Sequence, residues 1–333
     1  MINSFNKDDS MPTCVEKNKW LQIFDGYQLV DVAIQDNEII HFCARKRVPQ
    51  REASLLLDGE IATRIITLHP NGPLGKNCGC QTLHGMTLPV VGVSRFPFSQ
   101  PSGMVSSRNA DGDIWPYGRG ISGPLEFINP GNYPAPQRLK CLNGFTYSVG
   151  VGRSIYKRIE VGKWIALRDG FPNIEGTAKH GFADIDAFSE TDMYAVGGHG
   201  DVWHFNGTQW RQMGFPSNVQ LGTVTCAGDG NVYISGEGGS LWVGQKSTWK
   251  AIYKGGASIL WNDALWFQGK LWLASDYQLR RWNGNELEPV MYNGKTVPIY
   301  GHMDSYDQLL VVASPDYVMS FDGNTWRDLV SPY

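Results

Sequence analysis

Long apolar runs and large excesses of charge are both missing from this 333-residue sequence. Charged residues make up only 18% of the chain and aromatic residues 12%, a balance that excludes an intrinsically disordered protein. Because no run of about 18 apolar residues occurs, we expect no membrane span and no membrane partner. The first 20 residues carry three lysines and three acidic residues without an apolar core, so we expect no secretory signal.

Cysteine is scarce, and the standard motifs of cofactor binding are absent. The six cysteines are scattered, too sparse for a disulfide scaffold in a chain of this length, which favours a reducing, cytoplasmic location. The net charge is −3 and the one basic run, Arg45–Arg47, is short, so we expect no nucleic-acid partner. Neither a phosphate-binding glycine loop nor a Gly-x-Ser-x-Gly elbow occurs, and we therefore expect no cofactor.

Tryptophan, in contrast, is abundant and regularly placed. Three of the 12 tryptophans close phrases of one pattern, with two apolar runs separated by a small or polar turn: Met193–Trp210, Val232–Trp249 and Leu309–Trp326. Trp164 closes a similar phrase, and Leu287 stands where a fifth tryptophan would fall. The closing positions are 46, 39, 38 and 39 residues apart. A period near 40 with several short strands in each unit indicates a β-propeller.

Turn residues and alternation divide each unit into a four-stranded meander. Dipeptides typical of tight hairpin turns separate the last apolar runs, at Asn206-Gly207, Asn283-Gly284 and Asp322-Gly323. In the most regular unit we predict strands a to d at Thr223–Ala227, Asn231–Gly236, Ser240–Gln245 and Thr248–Tyr253. Small residues at the end of strand b suit the crowded centre of a ring, and the tryptophan on strand d fills the wider wedge between blades.

The count favours an all-β propeller of seven four-stranded blades in a single domain, 1–333, with six blades or a β-sandwich as alternatives. We predict blades near 28–66, 67–136, 137–169, 181–214, 219–253, 257–291 and 298–330. In the first blade the apolar runs LVDVAI, IIHFCA and SLLLDG are interpreted as strands. The blade at 67–136 is irregular, with a long loop at Phe96–Asn109. Within the N-terminal segment, 1–27, a strand carrying Trp20 is expected to close the ring against the last blade.

The phrase YAVGGHGDVWHFNGTQW, at 194–210, resembles bacterial propellers of the sialidase-like and photosystem-assembly-factor-like type, and kelch blades through Gly197-Gly198. The sequence departs from the motifs of these families. In the last repeat Asp322 is followed directly by Gly323, whereas the sialidase Asp box has one residue between its Asp and its Gly. The resemblance therefore implies the architecture and no catalytic residue. A signal-less propeller without a catalytic set is also similar to immunity proteins that neutralise toxins of contact-dependent or type VI secretion systems.

Two side-chain sets deserve consideration as chemical sites. The loop HPNGPLGKNCGCQTLH places thiol and imidazole ligands near one another, and its weak zinc candidate consists of His69, Cys78, Cys80 and His84. Its Cys-x-Cys spacing differs from the usual Cys-x₂-Cys, so ordinary loop residues are the favoured interpretation. Separately, Glu237, Asp276 and Asp316 all follow strand b, and paired carboxylates of this kind serve glycoside hydrolysis. Solvated turn residues are the simpler explanation.

We predict a non-enzymatic protein-binding propeller, by resemblance an immunity protein that binds a cognate toxin. The alternatives are a propeller enzyme (glycoside hydrolase, lyase or lactonase) with acids at the funnel mouth, or a carbohydrate-binding lectin. The acidic second half, with 16 acidic and nine basic residues over 181–333, would steer a basic partner. The expected binding face is formed by the b–c turns and the loop at 96–109, with the turn residues His199, Asp201, Glu237, Asp276, Tyr277, Asp316 and Tyr317.

Overall fold

Seven small antiparallel sheets stand in a ring, and the chain is a β-propeller with seven blades. The structure is a computed structural model, and it describes residues 13–95, 102–109, 111–118, 121–130, 135–172, 181–256 and 259–333. The prediction of an all-β propeller and the choice of seven blades over six are confirmed. Within each blade the strands follow the sequence from the centre of the ring outward, as a meander requires.

The first three blades are formed by strands of unequal length. Blade 1 contains β1–β4, at Tyr27–Asp36, Ile39–Lys46, Thr63–Leu68 and Cys78–Leu83. Blade 2 contains β5–β9, at Val90–Val93, Gly103–Ser106, Asp113–Gly118, Ile121–Ser122 and Glu126–Phe127, and both β8 and β9 pair with β7. Blade 3 contains β10–β13, at Pro136–Leu142, Phe145–Gly150, Ser154–Glu160 and Lys163–Ala166. Two short helices belong to this part of the chain, α1 at Lys17–Ile23 and α2 at Gln50–Ala53.

The last four blades are more alike. Blade 4 contains β14–β17, at Asp184–Ser189, Asp192–Gly197, Asp201–Phe205 and Trp210–Gln212. Blade 5 contains β18–β21, at Leu221–Cys226, Val232–Gly236, Leu241–Gln245 and Thr248–Tyr253. Blade 6 contains β22–β25, at Asp263–Phe267, Lys270–Ala274, Leu279–Trp282 and Leu287–Pro289, followed by a hairpin of β26 and β27 at Met291–Tyr292 and Lys295–Thr296. Blade 7 contains β28–β31, at His302–Tyr306, Leu309–Ala313, Val318–Phe321 and Trp326–Val330.

The four repeated tryptophans occupy equivalent wedges, as the repeat predicts. Each packs between its own blade and the preceding one: Trp164 between blades 2 and 3, Trp210 between 3 and 4, Trp249 between 4 and 5, and Trp326 between 6 and 7. Leu287 takes the same place between blades 5 and 6. The degree of burial differs, because Trp210 is only 1% exposed whereas Trp164 and Trp249 are half-buried. Large apolar side chains therefore fill the outer wedge in every blade that carries the phrase.

The ends of the b strands are crowded, which explains their small residues. A Cβ atom on Gly197 would collide with the backbone carbonyl of Gly181, and one on Gly236 would lie 2.9 Å from the carbonyl oxygen of Gln220. The strand bounds of blade 5 agree with the prediction to within two residues. The sequence pattern thus locates the strands well wherever the phrase is regular.

The predicted closing strand at Trp20 is wrong, because this segment forms helix α1. Buried residues Trp20, Ile23 and Phe24 have the i, i+3, i+4 spacing of one helix face, which differs from the alternation of a strand. The segment does lie against the last blade, since the Cys14 backbone N–H donates to the carbonyl of Leu329 at 3.2 Å. Helix and loop together therefore occupy the seam between blades 7 and 1.

The interpretation of SLLLDG as a strand of the first blade is also wrong. The third strand is β3, and residues 47–62 form the connection between the second and third strands, with helix α2 and a 3-10 turn at Asp58–Glu60. The predicted boundary at 66 falls too early, because β4 completes blade 1 and blade 2 begins at β5. Part of the predicted loop at Phe96–Asn109 is strand β6, while residues 96–101 lie outside the described residues.

Candidate protein-binding face

The b–c connections and the linkers between blades lie at the same end of the ring, here called the b–c face. The Glu237 backbone N–H donates to the carbonyl of Gln220 at 2.7 Å, which joins a b–c turn to the linker before its own blade. Similarly, the Leu29 N–H donates to the Pro315 carbonyl at 2.8 Å across the seam from blade 7 to blade 1. These backbone bonds hold the turns in fixed positions relative to one another.

Four of the predicted site residues are exposed on this face. His199 lies in the turn of blade 4, where its ring Nδ1 is 3.2 Å from the Asn218 carbonyl oxygen. Glu237 begins the 3-10 turn of blade 5. In blade 6, Asp276 accepts a hydrogen bond from the Asn262 side chain at 2.6 Å, and the neighbouring Tyr277 is 79% exposed. An exposed aromatic ring among polar turns is a common feature of protein interfaces.

Blade 7 contributes its residues differently. The Asp316 carboxylate pairs with the Arg47 guanidinium of blade 1 at 2.5 Å, and both side chains are nearly half exposed. Tyr317 is half-buried against the core between blades 6 and 7. Burial and a hydrogen bond to Asp328 raise the pKa of its hydroxyl well above the usual range. Tyr317 thus has a mainly structural environment, whereas Asp316 remains on the surface.

Asp201 is not an available surface residue, contrary to the expectation. Its carboxylate is buried and accepts hydrogen bonds from Arg153 Nε at 2.7 Å and from the Trp203 indole at 2.8 Å. The Gln212 amide adds a third at 3.3 Å. Because Arg153 belongs to blade 3 and Asp201 to blade 4, this group joins two blades. The sequence could not distinguish it from the exposed acids at equivalent turns.

Three exposed leucines on this face were missed by sequence reasoning. Leu55, Leu56 and Leu57 lie in the b–c connection of blade 1, and Leu55 and Leu57 are 85% and 77% exposed. Their signal in the sequence is the run SLLLDG itself, which is short, bounded by polar residues and lacks the alternation of a half-buried strand. The b–c face therefore combines apolar, aromatic and acidic side chains.

A cavity of about 240 Å³ lies at the centre of the ring, lined by the innermost strands of all seven blades. Five aspartates and three basic side chains line it, and each aspartate accepts a backbone N–H of the next blade. Asp31 accepts from Val91 at 2.9 Å, Asp263 from Met303 at 3.0 Å, and Asp304 from Ile34 at 2.7 Å. The central carboxylates thus connect one blade to the next. The Asp that recurs on the innermost strand of a blade stabilises the contact between neighbouring blades.

The charges around the cavity perturb one another. Burial raises the pKa of Asp31 to about 6, while nearby His302 and Arg138 oppose the shift. Burial opposes ionisation of Asp263 too, but the adjoining Arg138 guanidinium and His302 hold its pKa far below the usual range. Burial opposes protonation of His302, but its hydrogen bond to Asp263 at 3.1 Å and the nearby carboxylates raise its pKa. Opposite charges therefore compensate one another inside the ring.

The proposed zinc ligands do not come together. Among the residues that the structure describes, no three His, Cys, Asp or Glu side chains converge as a metal site. His69 lies in the c–d loop, Cys78 and Cys80 lie on β4, and His84 follows that strand. All six cysteines are free thiols, and burial raises the pKa of Cys78 to about 12. The described helices include none with the length and apolar character needed to cross a membrane.

No protein-family model matches this chain. The immune protein Tsi7 of Pseudomonas aeruginosa is 31% identical over 188 residues, which are 56% of this chain and 61% of Tsi7. The chain is thus similar to an immune protein. The matched region is less than two thirds of the length of Tsi7.

Solved structures share the fold at low identity. YCF48 bound to a D1 peptide is 15% identical, with a TM-score of 0.58, and the alignment covers 93% of this chain and 94% of that one. YCF48 from Cyanidioschyzon merolae is 14% identical, with a TM-score of 0.56 and coverage of 89% and 96%. At these identities the likeness supports the propeller architecture alone.

Proposed function

We propose that this protein is an immunity protein that binds a cognate bacterial toxin and neutralises it by covering its surface, without chemistry of its own. The observation that carries the proposal is the similarity to the immune protein Tsi7 at 31% identity over 188 residues. A protein that acts by occlusion needs a stable surface complementary to its target. A closed ring with fixed turns at one end provides such a surface.

The b–c face is the part of the surface that we assign to toxin binding. Tyr277 offers a largely exposed ring, and Glu237 and Asp276 place carboxylates on neighbouring turns. The acidic residues of 181–333 that remain exposed on this face, Glu237 and Asp276 among them, favour a target with a basic surface. The central carboxylates, by contrast, are engaged in holding the blades together. This division favours binding over catalysis as the role of the exposed acids.

The proposal includes a cytoplasmic location and a toxin delivered by a type VI secretion system. It also names a protein as the partner, rather than nucleic acid or a membrane. The overall charge of −3 supports this choice, because a nucleic-acid surface would repel the exposed acids.

The proposal is tested with the product of the gene adjacent to that of this chain, expressed in a bacterial host. Co-expression of the wild-type chain should restore growth if that product is the toxin. The double variant Glu237→Lys with Asp276→Lys should restore it less well, because both charges on the face are reversed. Glu286→Lys is the matched control, since Glu286 is exposed on a c–d turn at the opposite end of the ring.

Two results would count against the proposal. If the purified chain and the purified product of the adjacent gene form no complex in a calorimetric titration, the assignment as its immunity protein is wrong. If they bind but the double variant binds as tightly as Glu286→Lys, the acidic turns do not belong to the interface.

A further inference from the structure

Blade 1 presents an apolar surface where the other blades have short polar turns. We define the leucine segment as Leu55, Leu56 and Leu57 together with Leu88 from the linker that follows blade 1. All four are exposed, from 40% at Leu56 to 85% at Leu55. Exposed apolar side chains that stand singly need no explanation, but consecutive ones indicate a binding site.

The segment is held outward by a buried arginine rather than left unsupported. Arg45 is 7% exposed, and its guanidinium donates to the Asp58 carbonyl at 2.6 Å and to the Met86 carbonyl at 2.7 Å. It also pairs with the Asp58 carboxylate at 3.1 Å. The Leu57 N–H donates to the Glu60 carboxylate at 2.7 Å. Since these bonds fix the backbone, binding costs little further conformational entropy.

The backbone conformation of Leu88 gives independent support for a binding surface. Its φ of 41° lies in the left-handed region, which is unusual for a bulky side chain and costs conformational energy. The Asp58 carboxylate accepts its N–H at 2.6 Å and thereby stabilises this conformation. A strained leucine that remains half exposed points to a role in recognition rather than in packing.

The leucine segment is continuous with the face already assigned to toxin binding. Arg47, at the start of the same connection, forms the ion pair with Asp316 on the b–c turn of blade 7. Tyr277 lies on the corresponding turn of blade 6. The apolar segment therefore adjoins the acidic and aromatic turns on one end of the ring.

We propose that the leucine segment is the apolar anchor of the toxin complex, and that it inserts into an apolar cleft bordered by basic side chains on the toxin. This inference rests on the proposed function. Residues 45–60 carry four basic and three acidic side chains, too balanced to bind an anionic membrane by charge. A second copy of the chain would oppose the exposed Glu237 and Asp276 carboxylates of one face to those of the other. A partner with basic side chains beside an apolar cleft complements the leucines together with these two carboxylates on the same face.

The test compares a double variant, which carries both Leu55→Asp and Leu57→Asp, with the single variant Leu74→Asp. Leu74 is 62% exposed in the c–d loop of the same blade, at the opposite end, and is the matched control. Binding to the purified product of the adjacent gene is measured by calorimetric titration. We expect the leucine variant to weaken the complex by about 100-fold or more and the control to leave it unchanged. Both variants should keep the wild-type melting temperature, because all three side chains are exposed.

Unchanged binding by the leucine variant, with binding by the wild type intact, would overturn this inference alone. Failure of the wild type to bind would overturn the proposed function and the inference with it. Two further measurements test the other occupants. If the wild type sediments with vesicles of phosphatidylglycerol and phosphatidylethanolamine and the leucine variant does not, the segment binds membranes. If the wild type is dimeric in analytical ultracentrifugation and the variant monomeric, the segment binds a second copy.

Discussion

Blades 4 to 7 are more regular than blades 1 and 2, although all of them pack into the same ring. In blades 4 to 7 the b–c turns are three or four residues long, and the outer wedge is filled by the same kind of side chain. Blade 1 instead has the whole of 47–62 as its b–c connection, with four residues of helix and three exposed leucines. The strands must match their neighbours in any ring, whereas the connections are free to vary. We therefore expect the functional residues of this protein in the b–c connections that differ from one blade to another.

The seams between blades show the same contrast. Several seams use the carboxylate of a central Asp to accept a backbone N–H from the next blade. The seam between blades 2 and 3 has a different group, a fully buried pair of Glu126 and Arg158 with two side-chain hydrogen bonds, at 2.9 and 2.5 Å. The Trp164 indole also donates to Glu126 at 3.0 Å. The seam between blades 2 and 3 thus depends on a buried charged pair, whereas the other seams named here depend on the repeated Asp.

The largest effect is expected at a regular wedge. Trp210→Ala should lower the free energy of unfolding by about 4–5 kcal/mol, because the ring is buried and stacks against Phe171 at 5.6 Å. Trp249→Ala is the comparison, and half-burial predicts a smaller loss, about 1–2 kcal/mol. Urea unfolding of both variants measures the difference. Equal losses would mean that the wedges contribute equally despite their unequal burial.

The irregular seam should be nearly as sensitive. Glu126→Ala removes the carboxylate from a buried guanidinium and should cost about 3–4 kcal/mol in urea unfolding. The double variant Glu126→Met with Arg158→Met removes both charges and should recover much of that loss. A double variant less stable than Glu126→Ala would show that the pair stabilises the seam beyond mutual neutralisation.

A moderate, pH-dependent effect is expected at the centre of the ring. The pKa of Asp31 is about 6 in the folded protein and about 3.9 in an unfolded chain, so the folded state binds more protons between these values. Stability from this group is therefore present at pH 4 and declines as the pH rises to 6. From pH 4 to pH 6 the free energy of unfolding of the wild type should fall by roughly 2 kcal/mol more than that of Asp31→Asn. Unfolding measured at pH 4, 5 and 6 tests this. Parallel pH profiles for the two proteins would contradict the raised pKa.

The smallest effect on stability is expected at the regular turns. Reversal of charge at Glu237 and Asp276 should change the free energy of unfolding by less than about 0.5 kcal/mol, because both side chains are exposed. Thermal unfolding of the double variant checks this. A large loss would mean that these acids hold the ring, as Asp201 does.

The architecture was predictable where one phrase repeats, because alternation and turn dipeptides depend on local sequence. The tryptophan at position d identified the wedges of the regular blades, and the count of seven also required the two less regular segments at 28–66 and 67–136. The first blades were harder, since SLLLDG is as apolar as a strand, and its place outside the sheet depends on long-range bonds such as those of Arg45. The segment at Trp20 was also predicted wrongly, because a helix of seven residues shows its i, i+3, i+4 spacing over a single turn only.

The candidate face was predictable only in part. Position after strand b places a residue on the b–c face, and this located His199, Glu237, Asp276 and Tyr277. Position alone does not reveal burial, so Asp201 appeared equivalent to them although it pairs with Arg153 from the neighbouring blade. Contacts between residues distant in the chain decide which turn residues remain available.

Hydrogen–deuterium exchange of the free chain and of its complex with the adjacent gene product tests most directly whether this end of the ring binds the toxin. We expect slower exchange at residues 47–62, 237–240, 275–278 and 314–317, with the c–d turns unchanged. Slower exchange confined to the c–d turns, or to the outer strands, would contradict it.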